Sequence, residues 1–492
     1  MLDYVGGQLL NADPEAALEY YQQCLVIYRD FVARRPSDLA KQADLALVLA
    51  NIGGVLKHTD PEAALEHYQE SLRMRRYFAE VAPTERAAKY DLGITLENIA
   101  EILQQSDVEA ALDYYQQCLK VRRYLVELIP PNRIDQVDII STLNTVAGLM
   151  KKTDPAAALN YYQESLEIRR YLVDSTPNDL PSQRDMAVSV GRVADMLKHS
   201  DPTAALNYYQ ECLAIFQRLV EEEPDNLQWQ RDLAIGLEKV AVVLADSDPK
   251  AALNYYQQSL EIFHKIASEK PTDFQRQLDV TISLEKVAFL FEKFDSDSAL
   301  NYYRQSLEIR QQLIERAPNN LQIKRGLSVV LDRVADMLRK SDPTTALGYY
   351  RKSLEINHQI VENDPADRSA QLDLARNLNH IGYLLKNTNV ASAVGYYQQS
   401  AKIFRYLFQN GAENIYLERD FTKTLIWLGL LTNELPYWEE SLPLVRKLSE
   451  IPNLYDEMHP LLKTVLVKMA RLLENLDPTR AAQLWKDAEK IS

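Results

Sequence analysis

The chain has 492 residues, 46% of them hydrophobic and 25% charged, with 14 glycines, a composition of an ordinary folded protein and too glycine-poor for a turn-dense all-β fold. Its 70 acidic against 55 basic side chains leave a net charge of −15, which argues against nucleic acid or anionic lipid as a partner. Met1-Leu2-Asp3-Tyr4-Val5 has neither the basic start nor the apolar core of a signal peptide, and the apolar stretch Leu425 to Leu431 falls far short of the roughly 20 residues of a membrane span, so a cytoplasmic protein is expected.

The order of the chain is set by a repeat. Met1 falls inside a first helix that has only about a third of its usual length before Asp13, which predicts either a missing upstream piece or closure of that face by a second copy. From Asp13 the string D-P-x-A-A-L-x-Y-Y recurs at Asp60, Asp107, Asp154, Asp201, Asp248, Asp295 and Asp342, and in degraded form at Asn389, always in steps of 47. Each Asp-Pro is an N-cap followed by proline at the first helical position, where a missing N–H costs nothing. From Pro61 the residues Ala64, Leu65, Tyr68, Leu72, Arg75 and Phe78 keep helical spacing until Pro83 stops the run. Between Pro36 and Asp60 a second stripe, Leu45, Leu49, Ile52, Gly53 and Leu56, predicts a second helix antiparallel to the first.

Two columns show how these helices pack. In the helix before Asp-Pro, the position occupied by Gly53, Ala100, Ala147, Ala194, Ala241, Ala288, Ala335, Gly382 and Gly429 never carries more than a methyl group, so another helix approaches closely there. In the next helix a tyrosine pair recurs, from Tyr20-Tyr21 to Tyr396-Tyr397, broken only by His67 beside Tyr68, and supplies large buried area with a polar tip. After Gly429 the register slips: Pro436-Tyr437-Trp438 replaces the capped turn, Ala470 takes the small-residue role after 41 rather than 47 residues, and Asp477-Pro478 opens a last short helix. Residues 1–433 are therefore expected to form the regular array and 434–492 a divergent C-terminal cap, with Trp427, Trp438 and Trp485 filling the cap core.

Leu, then Val/Ile-Gly/Ala in one helix and Ala-Leu-x-Tyr-Tyr-x-x-Ser/Cys-Leu in the next resembles the tetratricopeptide repeat, whose standard unit is about 34 residues. The longer unit here is similar to kinesin-light-chain-like repeats and to arrays that trail bacterial caspase-like and nucleotide-binding effector proteins, as is Gln230-Arg231-Asp232-Leu233 after Trp229. The resemblance covers nearly the whole chain. It implies an all-α fold, a right-handed α-solenoid of antiparallel helix pairs, and a non-enzymatic scaffold or adaptor that binds a partner protein or peptide in its concave groove. The alternative it implies is the regulatory or sensor arm of a larger effector, caspase-like protease or nucleotide-dependent switch, with the catalytic part elsewhere.

No chemistry-bearing constellation competes with that expectation. Cys24, Cys118 and Cys212 share one repeat column with Ser71, Ser165, Ser259, Ser306, Ser353 and Ser400, and stand two repeats apart, too far for a disulfide or shared metal. None of the seven histidines pairs with another on one helical turn, and there is no Gly-rich phosphate loop, so no metal or cofactor is expected.

By the same resemblance, the helix before each Asp-Pro lines the groove, with one column just after its core Leu and another just after its small residue. Toward the N-terminus Asn51, Asn98, Asn144, Lys57, Lys151 and Lys198 are expected to hold a peptide backbone and acidic side chains. Farther on, Glu238, Glu285, Asp332 and Asp336 with Val242, Phe289 and Tyr383 suit a basic-apolar stretch, and Asn379 completes the set.

Overall fold

The computed structural model describes residues 13–82, 84–127, 132–411 and 414–491. The expected truncated first helix, and closure by a second copy over it, lie outside the described residues. Among them there are 21 α-helices and no strand. The chain divides into two compact units at Ser247/Asp248. The first unit holds α1 (Pro14–Arg34), α2 (Leu39–Leu56), α3 (Pro61–Val81), α4 (Arg86–Leu103), α5 (Val108–Glu127), α6 (Arg133–Met150), α7 (Pro155–Ser175), α8 (Leu180–Leu197), α9 (Pro202–Glu222) and α10 (Leu227–Leu244). The second holds α11 (Pro249–Glu269), α12 (Phe274–Phe291), α13 (Ser296–Arg316), α14 (Leu321–Leu338), α15 (Pro343–Asn363), α16 (Arg368–Leu385), α17 (Val390–Gln409), α18 (Ile415–Thr432), α19 (Leu435–Ser449), α20 (Tyr455–Leu473) and α21 (Pro478–Glu489).

A 21-residue helix, a four-residue turn, an 18-residue helix and a second four-residue turn account for the period of 47. The caps form as the sequence predicts: Asp60 accepts from the Ala63 N–H at 3.1 Å, Asp201 from Ala204 at 2.9 Å, and the degraded Asn389 from Ser392 at 3.1 Å. Within each unit every helix packs on the next in sequence, and the tightest pairings join a helix to the one after its Asp-Pro turn. Each unit is thus an α-solenoid, stabilised by contacts between neighbours.

The small-residue column has a specific occupant. A Cβ built on Gly53 would fall 2.8 Å from the ring of Tyr68, and one on Gly382 would fall 3.0 Å from Tyr397, so the second tyrosine of each pair sits over the preceding helix's backbone. Tyr21, Tyr68, Tyr115, Tyr209, Tyr256, Tyr303, Tyr350 and Tyr397 are buried, whereas Tyr162 is only half-buried. The Ser/Cys column is buried too and adds hydrogen bonds: Ser71 Oγ donates to the Ala46 carbonyl at 2.7 Å, and Cys118 and Cys212 Sγ to those of Gly93 and Ala187 at 3.3 and 3.2 Å. Burial pushes both of these thiols up to about 12, so they are packing groups and poor nucleophiles.

In the second unit the period breaks for a local reason. Asn433 takes a left-handed conformation (φ 58°) and turns α18 directly into α19 without the four-residue connection. The residue that then meets Gly429 is Trp438, fully buried, with its indole 2.5 Å from a Cβ built there. Trp438, Val445, Met458, Val465 and Met469 form the core of the last helices with Trp485 packed at its edge, while Trp427 packs against the neighbouring core of Tyr397, Phe404 and Leu425 and also lines a cavity. In the first unit α2, rather than Leu425 to Leu431, is long and apolar enough to cross a membrane by length and composition; its Leu45, Val48, Leu49 and Ile52 are buried against its neighbours.

Candidate functional site

The two sequence-predicted columns separate by burial. Most polar residues that follow the core Leu are engaged inside the array, Asn144 being the exception. Glu97 takes the guanidinium of Arg122 at 2.6 and 2.8 Å, and Glu285 accepts from Arg310 at 2.7 Å and Ser306 at 2.6 Å. Glu238 is buried, Asp332 accepts from Asn377 at 2.7 Å, and Asn379 donates to Thr424 at 2.8 Å. Asp332 is moreover raised to about 8 by burial, with Asp336 adding repulsion, so at neutral pH it is mostly uncharged and offers a basic partner little attraction. The column that follows the small residue faces outward: Val242, Phe289 and Tyr383 are exposed, while Asp336 is half-buried and accepts from the Tyr350 hydroxyl at 2.5 Å.

Nearer the N-terminus, Asn98 donates to the Ile94 carbonyl of its own helix at 3.0 Å, and Lys57 pairs with Glu101 across the repeat. Asn51 is half-buried and Lys151 exposed. Lys198 and Val242 come together in one cleft of the first unit with Pro202 and Leu206.

Two of the predicted residues, Asn379 and Tyr383, line a cavity of about 490 Å³ in the second unit, formed by α16, α17, α18 and α20 with Arg339 just after α14. Its walls are cationic and aromatic: Arg339, Arg376, Arg419 and Lys423 surround Asp420, with Tyr383, Tyr397 and Trp427 beneath. Asp420 is held by Arg376 at 2.7 Å and by Arg419 at 3.0 Å, and Lys423 pairs with Glu457. Trp427 stacks on Tyr397 (centroids 6.4 Å apart, 12° between planes) and meets Tyr383 edge-on at 5.7 Å. The ammonium of Lys386 lies 3.3 Å from the Tyr383 centroid and 4.3 Å from that of Trp427.

The cavity also contains unspent hydrogen-bonding groups. The hydroxyl of Tyr397, a residue only 1% exposed, has no hydrogen-bond partner among the described residues. Its counterparts Tyr209 and Tyr350 donate to Asp195 and Asp336; the residue at that repeat position here is Tyr383, which cannot reproduce the carboxylate. His380 Nδ1 is buried without a hydrogen bond, 3.9 Å from Asp336, and burial lowers its pKa, so the ring is neutral at pH 7. Arg376, Lys386, Tyr397, Arg419 and Trp427 were not among the residues expected from sequence. The signal for Trp427 lies in the repeat column that reads Asn51, Asn98, Thr145, Arg192, Lys239, Lys286, Arg333, His380, Trp427, which changes from amide to cation to aromatic along the chain. Among the described residues no three His, Cys, Asp or Glu side chains gather as metal donors.

Consecutive antiparallel helix pairs, a tyrosine seated on a small residue and an Asp-capped turn per repeat recur through both units. The chain resembles the tetratricopeptide repeat proteins. Solved structures similar to it include the apo form of the quorum sensor NprR from B. thuringiensis (12% identity, 82% of this chain and 98% of that one, TM-score 0.43). A Rap protein complexed with competence and sporulation factor matches at 13% identity over 85% and 99% of the two chains, TM-score 0.37. A tetratricopeptide repeat protein from Parabacteroides merdae matches at 12% identity over 68% and 98%, TM-score 0.36. No protein-family model and no curated protein matches the sequence.

Proposed function

We propose that the chain is a protein-interaction scaffold and that the cavity of its second unit takes an acidic segment of a partner bearing an aromatic or apolar side chain. The observation that carries this reading is the combination of four cationic side chains to one carboxylate with an aromatic floor and the unpartnered Tyr397 hydroxyl, in a chain of net charge −15. A carboxylate of the segment pairs with Arg339 at the rim, and its apolar side chain covers Trp427 and Leu430. Residues 434–492 act in this reading as the cap that closes the array beside the site, supported by the continuous core around Trp438 and Met458.

The test is a display selection from a random peptide library on the full chain, run beside the Arg376→Ala/Trp427→Ala variant. Selected peptides should be enriched in Asp or Glu next to an aromatic residue, and the variant should lose at least about tenfold in affinity for them. Peptides rich in Lys or Arg, or equal binding by the variant, would refute the reading.

A further inference from the structure

The array repeats an arginine in steps of 47, buried at Arg75 and Arg122, half-buried at Arg169, and buried again at Arg310. At two of these the guanidinium is neutralised by a glutamate from the preceding helix, Glu97 for Arg122 and Glu285 for Arg310. The same repeat position beside Arg169 is Asn144. An amide does not replace the charge, and both partners show it: Asn144 Oδ1 and Arg169 Nε are buried without a hydrogen-bond partner among the described residues. Arg169 retains Asp185 at 3.2 Å, yet its side chain is 13% exposed against 5% for Arg75, Arg122 and Arg310. Burial lowers its pKa, with the positive charge of Arg192 contributing, whereas that of the paired Arg122 is raised.

A second acid is lost in the same repeat. Where Asp195 and Asp336 hold Tyr209 and Tyr350, this repeat has Gly148, whose missing Cβ would stand 3.9 Å from the Tyr162 hydroxyl. Asn144, Tyr162, Arg169 and Arg192, with Ser141 and Thr145, line a cavity of about 470 Å³, and no acidic side chain lines it. Arg192 forms no ion pair among the described residues and is exposed.

We propose that this cavity, Asn144–Tyr162–Arg169–Arg192, is an oxyanion site that takes a carboxylate from an acidic side chain of a partner, in the place that Glu97 and Glu285 fill in their own repeats. The fork of Arg169 receives it as Arg122 receives Glu97, Arg192 supplies the second charge, and the Asn144 amide and Tyr162 hydroxyl donate to its oxygens. The site lies in the first unit and stands whether or not the reading of the second-unit cavity holds.

The test follows the Nε–Hε resonance of Arg169, assigned with Arg169→Lys, in the full chain during titration with sodium acetate and, separately, with inorganic phosphate. Acetate should shift that signal saturably. In Asn144→Glu, which supplies the carboxylate internally, the shift should be present from the start and the response to acetate weakened at least about tenfold, with thermal stability equal to or above that of the wild type. Should Asn144→Glu not fold, Arg192→Gln should weaken the acetate response instead. An Arg169 signal indifferent to both anions, or an acetate response unchanged in both variants, would overturn the proposal. A saturable response to phosphate but none to acetate would overturn the carboxylate assignment.

Discussion

Asp332 on α14 lies between Asn377 of the next repeat and Ser353 of α15, and burial raises its pKa from 3.8 to about 8. The folded chain therefore holds this proton more tightly than the unfolded chain. The stabilisation is full below about pH 4, declines as pH rises through the window to about 8, and is level above it. Asp332→Asn keeps an acceptor for Asn377 and removes the titration. It should match the wild type in melting temperature near pH 3 and exceed it near pH 8.5, by a few kcal/mol at most; an offset identical at both pH values would contradict the buried, raised carboxyl. The same burial governs the tyrosines: Tyr209 and Tyr350, each donating to an Asp, are held in the neutral form above their ordinary range, so their hydroxyls act as donors at any physiological pH.

The helix after each Asp-Pro turn of the regular repeat begins on the same device, an Asp or Asn oxygen that accepts from a first-turn N–H. Asp60→Ala leaves the first-turn N–H groups of α3 without their acceptor and should lower the stability of that helix pair by about 1 kcal/mol, read as faster amide exchange in the first turn of α3. Unchanged exchange there would mean that solvent satisfies these groups equally well. The remaining turn is tied by a side chain: Gln42, Gln183, Gln230 and Gln371 each donate to the carbonyl of the turn proline six residues earlier, Pro36, Pro177, Pro224 and Pro365. Across the surface of the first unit, Arg29–Glu70, Arg123–Glu164 and Arg170–Glu211 link successive capped helices at a constant separation of 41 residues. These pairs are largely exposed and contribute little each, so they serve register more than stability.

At the scale of the molecule, contacts run from each helix to the next within each unit, so damage is expected to stay near its origin. Gly429→Val places side-chain atoms where the Trp438 indole already sits, 2.5 Å from the built Cβ, and should cost about 1–3 kcal/mol by overpacking. Hydrogen exchange should rise across α18 to α21 while α1 to α4 keep wild-type protection. Uniform loss of protection in both units would show cooperativity that a neighbour-limited solenoid does not have.

The repeat period, the helix pairs, the capped turns, the small-residue column and the buried tyrosines were all legible in the amino-acid sequence, because each follows from local backbone chemistry repeated in steps of 47. Which polar residues remain available to a ligand was decided only by tertiary structure. Glu285 and Asp332 read as free acids in one dimension, yet one is consumed by Arg310 and the other is neutralised by burial. Conversely, Arg169 reads as one more member of an arginine column and Tyr397 as one more packing tyrosine; each has a polar atom without a partner where the acid that serves the equivalent group in other repeats is replaced, by Asn144 and by Tyr383. Periodicity specifies where a side chain stands, whereas its charge and hydrogen-bonding capacity depend on what the neighbouring helix brings against it.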